Sequence, residues 1–293
     1  MGVAEEFVQF KDRYNIGVSL ISSISYRYRR ITKQLNWDFR SSLNETANSL
    51  YVGSYGRDTA AKGISDLDIG YILPSDIFAQ YNSYLSNGQS ALLQAVRNSI
   101  KNTYPLSSIS GDGQVVVINF DDGITFEILP AFINNSGTWT YPNANAGGSW
   151  QVCNPRAEID AIQLRNRATN GNLKYLCRMM RVWRDHNNAP MSGALIDTLA
   201  YQFIENWEHR EKSFYYHDYM ARDFLRFMAM QDKNKEYWRA PGSGSYVYKK
   251  GNFQYKALID YNISVEACNL QKDTESQQRR AKWRSVFGPT FPT

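Results

Sequence analysis

The sequence predicts an α+β protein of two lobes, with a mixed-sheet lobe over residues 1–155 and a helical lobe over residues 156–293. Three observations predict it. Strand-like segments are confined to Leu50–Phe132, where Tyr51-Val52, SDLDIGYILP, VVVINF and ITFEILPAF follow one another. Residues 134–155, NNSGTWTYPNANAGGSWQVCNP, are rich in Asn, Gly, Ser and Pro and read as an exposed loop at the lobe boundary. Beyond it the apolar spacing is helical almost to the end. Two lobes of this kind imply a cleft between them.

A chain of 293 residues buries a sizeable core in either one large domain or two lobes. Its 14% aromatic content goes with packed interiors and excludes a disordered or low-complexity protein. No apolar run approaches the ~20 residues that span a bilayer. The first residues, MGVAEEFVQFKDRYN, are acidic and then mixed, without a secretory apolar core. The Met1-Gly2 start would suit myristoylation, except that Glu6 stands where Ser or Thr is needed. A soluble, cytoplasmic protein with no membrane partner is expected.

The net charge of +5 suits polyphosphate binding but falls short of the basic footprint of a dedicated nucleic-acid binder. Cys153, Cys177 and Cys268 are odd in number and widely spaced, with no CxxC pair, and read as reduced thiols.

Taken in order, residues 16–40 form one helix. Ile21, Ile24, Tyr28, Ile31 and Leu35 recur at three- and four-residue steps along one face, and Arg27, Arg29, Arg30 and Lys33 lie on the solvated opposite face. SDLDIGYILP is a strand, and Ile77–Lys101 is helical. Asp121-Asp122-Gly123 turns VVVINF into ITFEILPAF as a hairpin. Helices follow at 156–168, 173–187, 193–208, 217–231, about 253–269 and 274–286, broken by a loop, WRAPGSGSYVYKKGN, that carries Lys249 and Lys250.

Residues two apart on a strand share a face. Leu67, Ile69, Tyr71 and Leu73 therefore form an apolar face, and Asp66 and Asp68 stand side by side on the other. Two carboxylates held that close repel each other unless a cation lies between them, and hard oxygen ligands favour Mg²⁺ or Mn²⁺ over zinc. In ITFEILPAF, Ile124, Phe126 and Ile128 form one face and Glu127 the other. If this strand lies beside the first, three carboxylates converge on a site for two metal ions. Asp121 and Asp122 compete for the third position but read as solvated turn residues. Gly53-Ser54 stands twelve residues before Asp66, after a short strand, where a glycine and a small hydroxyl let a phosphate approach backbone N–H groups.

This combination resembles the DNA polymerase β-like nucleotidyltransferases, whose signature is GS, then DxD, then a distal acidic residue. Within them it resembles the oligoadenylate synthase and cyclic GMP–AMP synthase group, and above all the bacterial CD-NTases of CBASS antiphage signalling. VGSYGRDTAAKGISDLDIGYILP is similar to their GS-x-G-[RK]-x-T…SD-x-D stretch, and FEILPAF to the FDVLPAF of oligoadenylate synthases. LKYLCRMMRVWRDHNNAPMSGALIDTLAYQF looks like the family's helix pair. The resemblance runs from about residue 10 to 210. It implies a bilobal fold with the active site in the cleft, and the second lobe as nucleotide lid and helical domain.

The resemblance also implies roles for particular residues. Asp66 and Asp68 would hold both metals, and Glu127, one methylene longer than the family's aspartate, the ion that activates the acceptor hydroxyl. Gly53 and Ser54 would cradle the donor's β- and γ-phosphates. Arg181 stands where the family has a triphosphate-contacting lysine, and Arg57 and Lys174 are further phosphate contacts. Ser192 occupies the donor-lid turn, with Gly193 in place of the aromatic residue often found there. Trp183 reads as core.

The implied reaction joins nucleoside triphosphates, ATP among them, into a cyclic di- or trinucleotide second messenger, releasing pyrophosphate. Its diffusible product would act on a separate effector, and a regulatory protein partner fits the same picture. The residues themselves leave linear products, or another acceptor such as a small molecule, a protein or an RNA end, open. A catalytically silent nucleotide or double-stranded RNA sensor is disfavoured by the intact Asp66, Asp68 and Glu127.

Overall fold

A computed structural model describes residues 2–293 of the protein. The chain forms α1 (Val3–Tyr14), α2 (Val18–Arg40), β1 (Ser49–Tyr51), the single turn α3 (Gly53–Gly56), β2 (Asp66–Ile72), α4 (Ser75–Asn82) and α5 (Gly88–Thr103). It continues with β3 (Ser108–Asp112), β4 (Val115–Asn119), β5 (Thr125–Ile133), β6 (Trp139–Asn143) and β7 (Ser149–Cys153). Helices α6 (Pro155–Ala168), α7 (Asn172–Asn187), α8 (Gly193–Glu205) and α9 (His217–Ala229) come next. Strands β8 (Tyr237–Arg239) and β9 (Tyr246–Tyr248) precede α10 (Gln254–Asn269) and α11 (Ser276–Phe287). Two compact units result: a sheet unit of residues 17–56 and 63–156, and a helical unit of residues 1–16, 57–62 and 157–293. Among the described residues no helix is long and apolar enough to cross a membrane.

In the sheet unit the strand order is β1-β2-β5-β4-β3, with β2 and β5 parallel and the other pairs antiparallel. The expected alternation holds: Leu67, Ile69 and Tyr71 of β2 and Phe126 and Ile128 of β5 are buried in one core. Ile24, Ile31 and Leu35 of α2 and Leu92, Leu93, Val96 and Ile100 of α5 share that core. A parallel pair needs such cover, because a sheet face left open exposes its apolar residues.

Three expectations about this unit are corrected. Residues 77–101 are not one helix: Asn87 is left-handed (φ 61°), and a Cβ on Gly88 would meet the Tyr81 carbonyl oxygen at 2.1 Å, so the chain breaks between α4 and α5. Residues 134–155 are not a loop. Strands β6 and β7 form a hairpin that pairs with the end of β5, because Trp139 buries itself against Gly70, where a Cβ would stand 2.2 Å from the indole ring. Nor is the basic face of α2 wholly solvated. Arg27 donates two hydrogen bonds to Asp122, at 3.0 and 2.7 Å, and stacks 4.1 Å from the Phe120 ring centre, clamping the β4–β5 turn.

In the helical unit the apolar faces of α7, α8, α9 and α11 build one core around Leu176, Met180, Trp183, Leu199, Phe224 and Trp283. Residues 238–252, expected as a loop, contain the antiparallel hairpin β8–β9, docked through Trp238 and Val247. Residues 1–16 belong to this unit and not with the sheet, because Phe7, Phe10 and Tyr14 recur on one face of α1 and fill its core. The Phe7 ring meets Trp283 edge-on at 5.3 Å, and Phe10 lies 4.7 Å from Phe287. Glu6 completes the contact: its carboxylate accepts from Nε and Nη2 of Arg279 at 2.9 and 2.8 Å, and both side chains are fully buried.

Removing one member of a buried pair leaves an uncompensated charge, at a cost of about 3–5 kcal/mol. Glu6→Ala is therefore expected to lower the urea midpoint sharply, followed by tryptophan fluorescence. Lys33→Ala, which breaks an exposed pair with Glu45, should change stability by under about 1 kcal/mol.

Candidate active site

The parallel ladder decides where the carboxylates stand. Asp66 pairs with Thr125, Asp68 with Glu127 and Gly70 with Leu129. Asp68 and Glu127 are thus direct cross-strand neighbours, with strands about 4.8 Å apart, and Asp66 lies two residues along on the same face. Asp66 is exposed, while Asp68 and Glu127 are half-buried. Ser65 Oγ donates to Asp66 Oδ1 at 3.1 Å.

The electrostatics follow from this crowding. Burial raises the Glu127 pKa above the ordinary carboxylate range, and the negative charges of Asp68, Asp66 and Asp112 raise it further. Among the described residues no three carboxylate, imidazole or thiol groups stand close enough to share one ion. The ladder nonetheless sets three acidic positions on one face of the sheet. An all-oxygen set whose members repel one another fits a hard divalent cation.

Gly53 packs against this cluster from the adjoining turn. Val52 N–H donates to the Asp68 carbonyl at 2.9 Å, which carries β1 alongside β2. Gly53 then turns with φ 58°, and a Cβ there would stand 1.8 Å from Asp68 Oδ2. Only glycine meets both demands, the left-handed backbone and the clearance. Ser54 follows as the second residue of the α3 turn.

The remaining predicted residues lie in the helical unit. Arg57 and Arg181 converge on Asp197. Arg57 Nε donates to Oδ2 at 3.0 Å, Arg181 Nη1 to Oδ1 at 2.6 Å and Nη2 to Oδ2 at 3.0 Å, and Thr59 Oγ1 to Oδ2 at 2.8 Å. Arg57 also donates to Glu158 at 3.0 Å, and Arg181 to the carbonyls of Cys177 and Gly193 at 3.2 Å. Asp197 is buried, which by itself would raise its pKa. The charges of Arg181 and Arg57, with hydrogen bonds from Arg181 and Thr59, overcome this and hold it at about 2.

Arg57 and Arg181 are thus both buried and engaged by protein acceptors. Lys174 Nζ bonds Asp58 Oδ2 at 3.0 Å, and Arg178 pairs with the same carboxylate. Ser192 caps α8, its Oγ accepting from Leu195 N–H at 3.1 Å. Trp183 is core, donating to Asp260 Oδ2 at 2.7 Å. Cys177 and Cys268 are buried and Cys153 half-buried, all three unbridged.

Sequence reasoning missed Asp197 and Thr59. The signal was present in ALIDTLAYQF, where a lone aspartate lies between buried Ile196 and Leu199 and so requires a cation partner.

Two measurements check these charges. The raised Glu127 pKa means that its contribution to stability is fully present at acid pH and is lost as pH rises through its shifted value. Glu127→Gln should therefore match the parent protein's thermal midpoint at acid pH and exceed it at neutral pH. Asp197 behaves oppositely: its contribution is present above about pH 4 and is lost as pH falls towards its own value of about 2. Asp197→Asn should cost about 3–5 kcal/mol at pH 7, the difference from the parent narrowing in acid.

Comparison with known proteins agrees with this geometry. The family profile of the Second Messenger Oligonucleotide or Dinucleotide Synthetase domain matches residues 1–166. A Bacillus cereus (strain VD146) protein named "Probable cyclic nucleotide synthase" is 23% identical over 185 residues, 57% of this chain and 52% of its own. The chain thus spans about half the length of that relative. The cyclic AMP-AMP-AMP synthase of Acinetobacter sp. is 22% identical over 248 residues, 82% of this chain and 71% of its own. Among solved structures, E. coli MS115-1 CdnC with ATP superposes with a TM-score of 0.73 at 14% identity, over 100% of this chain and 99% of its own, which shows the fold. CdnC is also solved with HORMA-deltaN.

Proposed function

Because the chain belongs to the second messenger oligonucleotide or dinucleotide synthetase family, we propose that it joins nucleoside triphosphates into a cyclic di- or trinucleotide second messenger, releasing pyrophosphate. The observation that carries this reading is the register of β2 and β5, which sets Asp68 beside Glu127 with Asp66 on the same face and Gly53 against Asp68. Asp66, Asp68 and Glu127 are the residues that would hold Mg²⁺ or Mn²⁺, two ions in all. Bound there, the metal would neutralise charge on the reacting phosphate and ease deprotonation of an acceptor ribose hydroxyl.

The chain's own groups do the positioning. Gly53, lacking a Cβ, lets the donor's β- and γ-phosphates approach the backbone, and the Ser54 hydroxyl donates to them. Ser192 Oγ accepts from the backbone of α8, which leaves its O–H to donate to the donor nucleotide. Lys174 has N–H groups beyond the one given to Asp58. Arg57 and Arg181 act through Asp197, setting the backbone that follows Ser54 and the turn that carries Ser192. Positioning and charge stabilisation supply most of the rate in such a transfer.

The cyclic product and its ATP substrate come from likeness: one relative is a cyclic AMP-AMP-AMP synthase, and the structure of CdnC holds ATP. A diffusible product implies a separate effector, and the CdnC:HORMA-deltaN complex supports a regulatory protein partner as part of the same reading.

The test incubates the purified protein with all four NTPs and Mg²⁺ or Mn²⁺, treats the mixture with phosphatase and weighs the products by mass spectrometry. A phosphatase-resistant product with the mass of a cyclic oligonucleotide is expected. Asp66→Asn/Asp68→Asn should reduce it by at least about 10³-fold. Products trimmed by phosphatase to linear oligonucleotides would overturn cyclisation and keep nucleotidyl transfer. Equal product from the double variant would overturn the site.

A further inference from the structure

The β8–β9 hairpin of the helical unit presents an unusual face. Trp238 and Val247 point inward and are buried, so strand alternation places Tyr237, Arg239, Tyr246 and Tyr248 together on the outside. The three tyrosines are 42%, 49% and 63% exposed. Tyr237 pairs in register with Tyr248, and Arg239 with Tyr246. The Arg239 guanidinium lies 3.6 Å from the Tyr246 ring centre and donates to its hydroxyl at 2.7 Å, so ring and cation are held as one plate. Docking the hairpin needs only its inner residues. On the outer face the Tyr246 ring lies 4.7 Å from Tyr237 and 6.0 Å from Tyr248, so the three rings form one cluster whose outer surface faces water.

Beside this face, Lys233, Lys235, Lys249, Lys250 and Tyr248 line an open hollow of about 680 Å³. Lys249 is fixed, its Nζ donating to the Lys233 carbonyl at 2.6 Å. Lys233, Lys235 and Lys250 are exposed. Among the described residues none of these four lysines, nor Arg239, is paired with a carboxylate, whereas Lys11, Lys33, Lys174, Lys256 and Lys282 are. Five cations against Asp232 and Glu236 make the patch strongly basic for its size.

We propose that this face binds single-stranded nucleic acid, with Lys233, Lys235 and Lys250 on successive phosphates and bases stacked on Tyr248 and Tyr237. Aromatic plates interleaved with cations are what a flexible, unpaired strand can use. A duplex keeps its base faces inside the stack and would meet only the lysines. The modest net charge of the whole chain hid this patch, because the charge is concentrated locally. The proposal is independent of the catalytic reading.

Fluorescence anisotropy of the full chain with labelled dT and rU strands of about twenty nucleotides tests it, over about 50–200 mM salt. Three phosphate contacts predict that log K falls with log salt at a slope of about −2, and Lys233→Ala/Lys250→Ala should make the slope shallower by about 1.4. Tyr248→Ala should weaken binding about tenfold at every salt concentration without changing the slope. Tyr248→Phe, which keeps the ring, should retain binding. Equal binding of dT and rU supports recognition by phosphate and base face alone, and preference for rU supports the same face with an added contact to the 2′-hydroxyl. No salt-dependent binding of either strand would overturn the proposal. So would a duplex bound as tightly as the single strands, or binding indifferent to every one of these substitutions.

Discussion

The site depends on one pairing, the parallel ladder between β2 and β5. Seven residues of each strand are in register from Asp66–Thr125 to Ile72–Ala131. A slip of one residue would turn Asp68 or Glu127 into the core and bring Ile69 or Ile128 out. What prevents the slip is on the other face. Leu67, Ile69, Tyr71, Phe126 and Ile128 have no exposed surface, and burying each is worth about 1.5–3 kcal/mol. That apolar burial, covered by α2 and α5, holds three like charges on one face against their own repulsion.

The two units handle charge in opposite ways. In the sheet unit burial and the neighbouring charges of Asp68 and Asp66 disfavour the ionisation of Glu127. In the helical unit Asp197 is saturated by Arg57, Arg181 and Thr59, and Glu6 by Arg279.

Legibility in the sequence followed the same division. Strand period and helical spacing were enough for β2, β5 and every helix from α6 to α11, since each obeys local patterning that tertiary packing reinforces. The convergence of Asp66, Asp68 and Glu127 needed only the extra condition that the two strands be neighbours, which the fold meets. Less legible was anything decided by a distant partner. The β6–β7 hairpin exists because Trp139 finds Gly70, and the β8–β9 hairpin because Trp238 finds the helical core, yet both segments are written in turn-rich residues. For Arg57 and Arg181 the sequence shows the cations, but only the fold shows the carboxylate they share, sixteen residues after Arg181. The placement of α1 in the helical unit likewise rests on aromatic contacts nearly three hundred residues apart in the chain, such as Phe7 with Phe291.

Gly53 explains why the motif is more informative than its parts. A Gly-Ser pair alone is an ordinary turn, and an Asp-x-Asp alone is an ordinary strand. Here the two are one object, because the missing Cβ of Gly53 is the space that Asp68 Oδ2 occupies. The positive φ of Gly53 and the hydrogen bond from Val52 to the Asp68 carbonyl fix that approach from the backbone side. Three residues past Ser54, the chain at Arg57 already belongs to the helical unit, tied by Asp197. The turn that would receive a phosphate is therefore held against the acidic strand of its own unit. Spacing between the Gly-Ser and Asp-x-Asp elements carries meaning because it measures a physical contact.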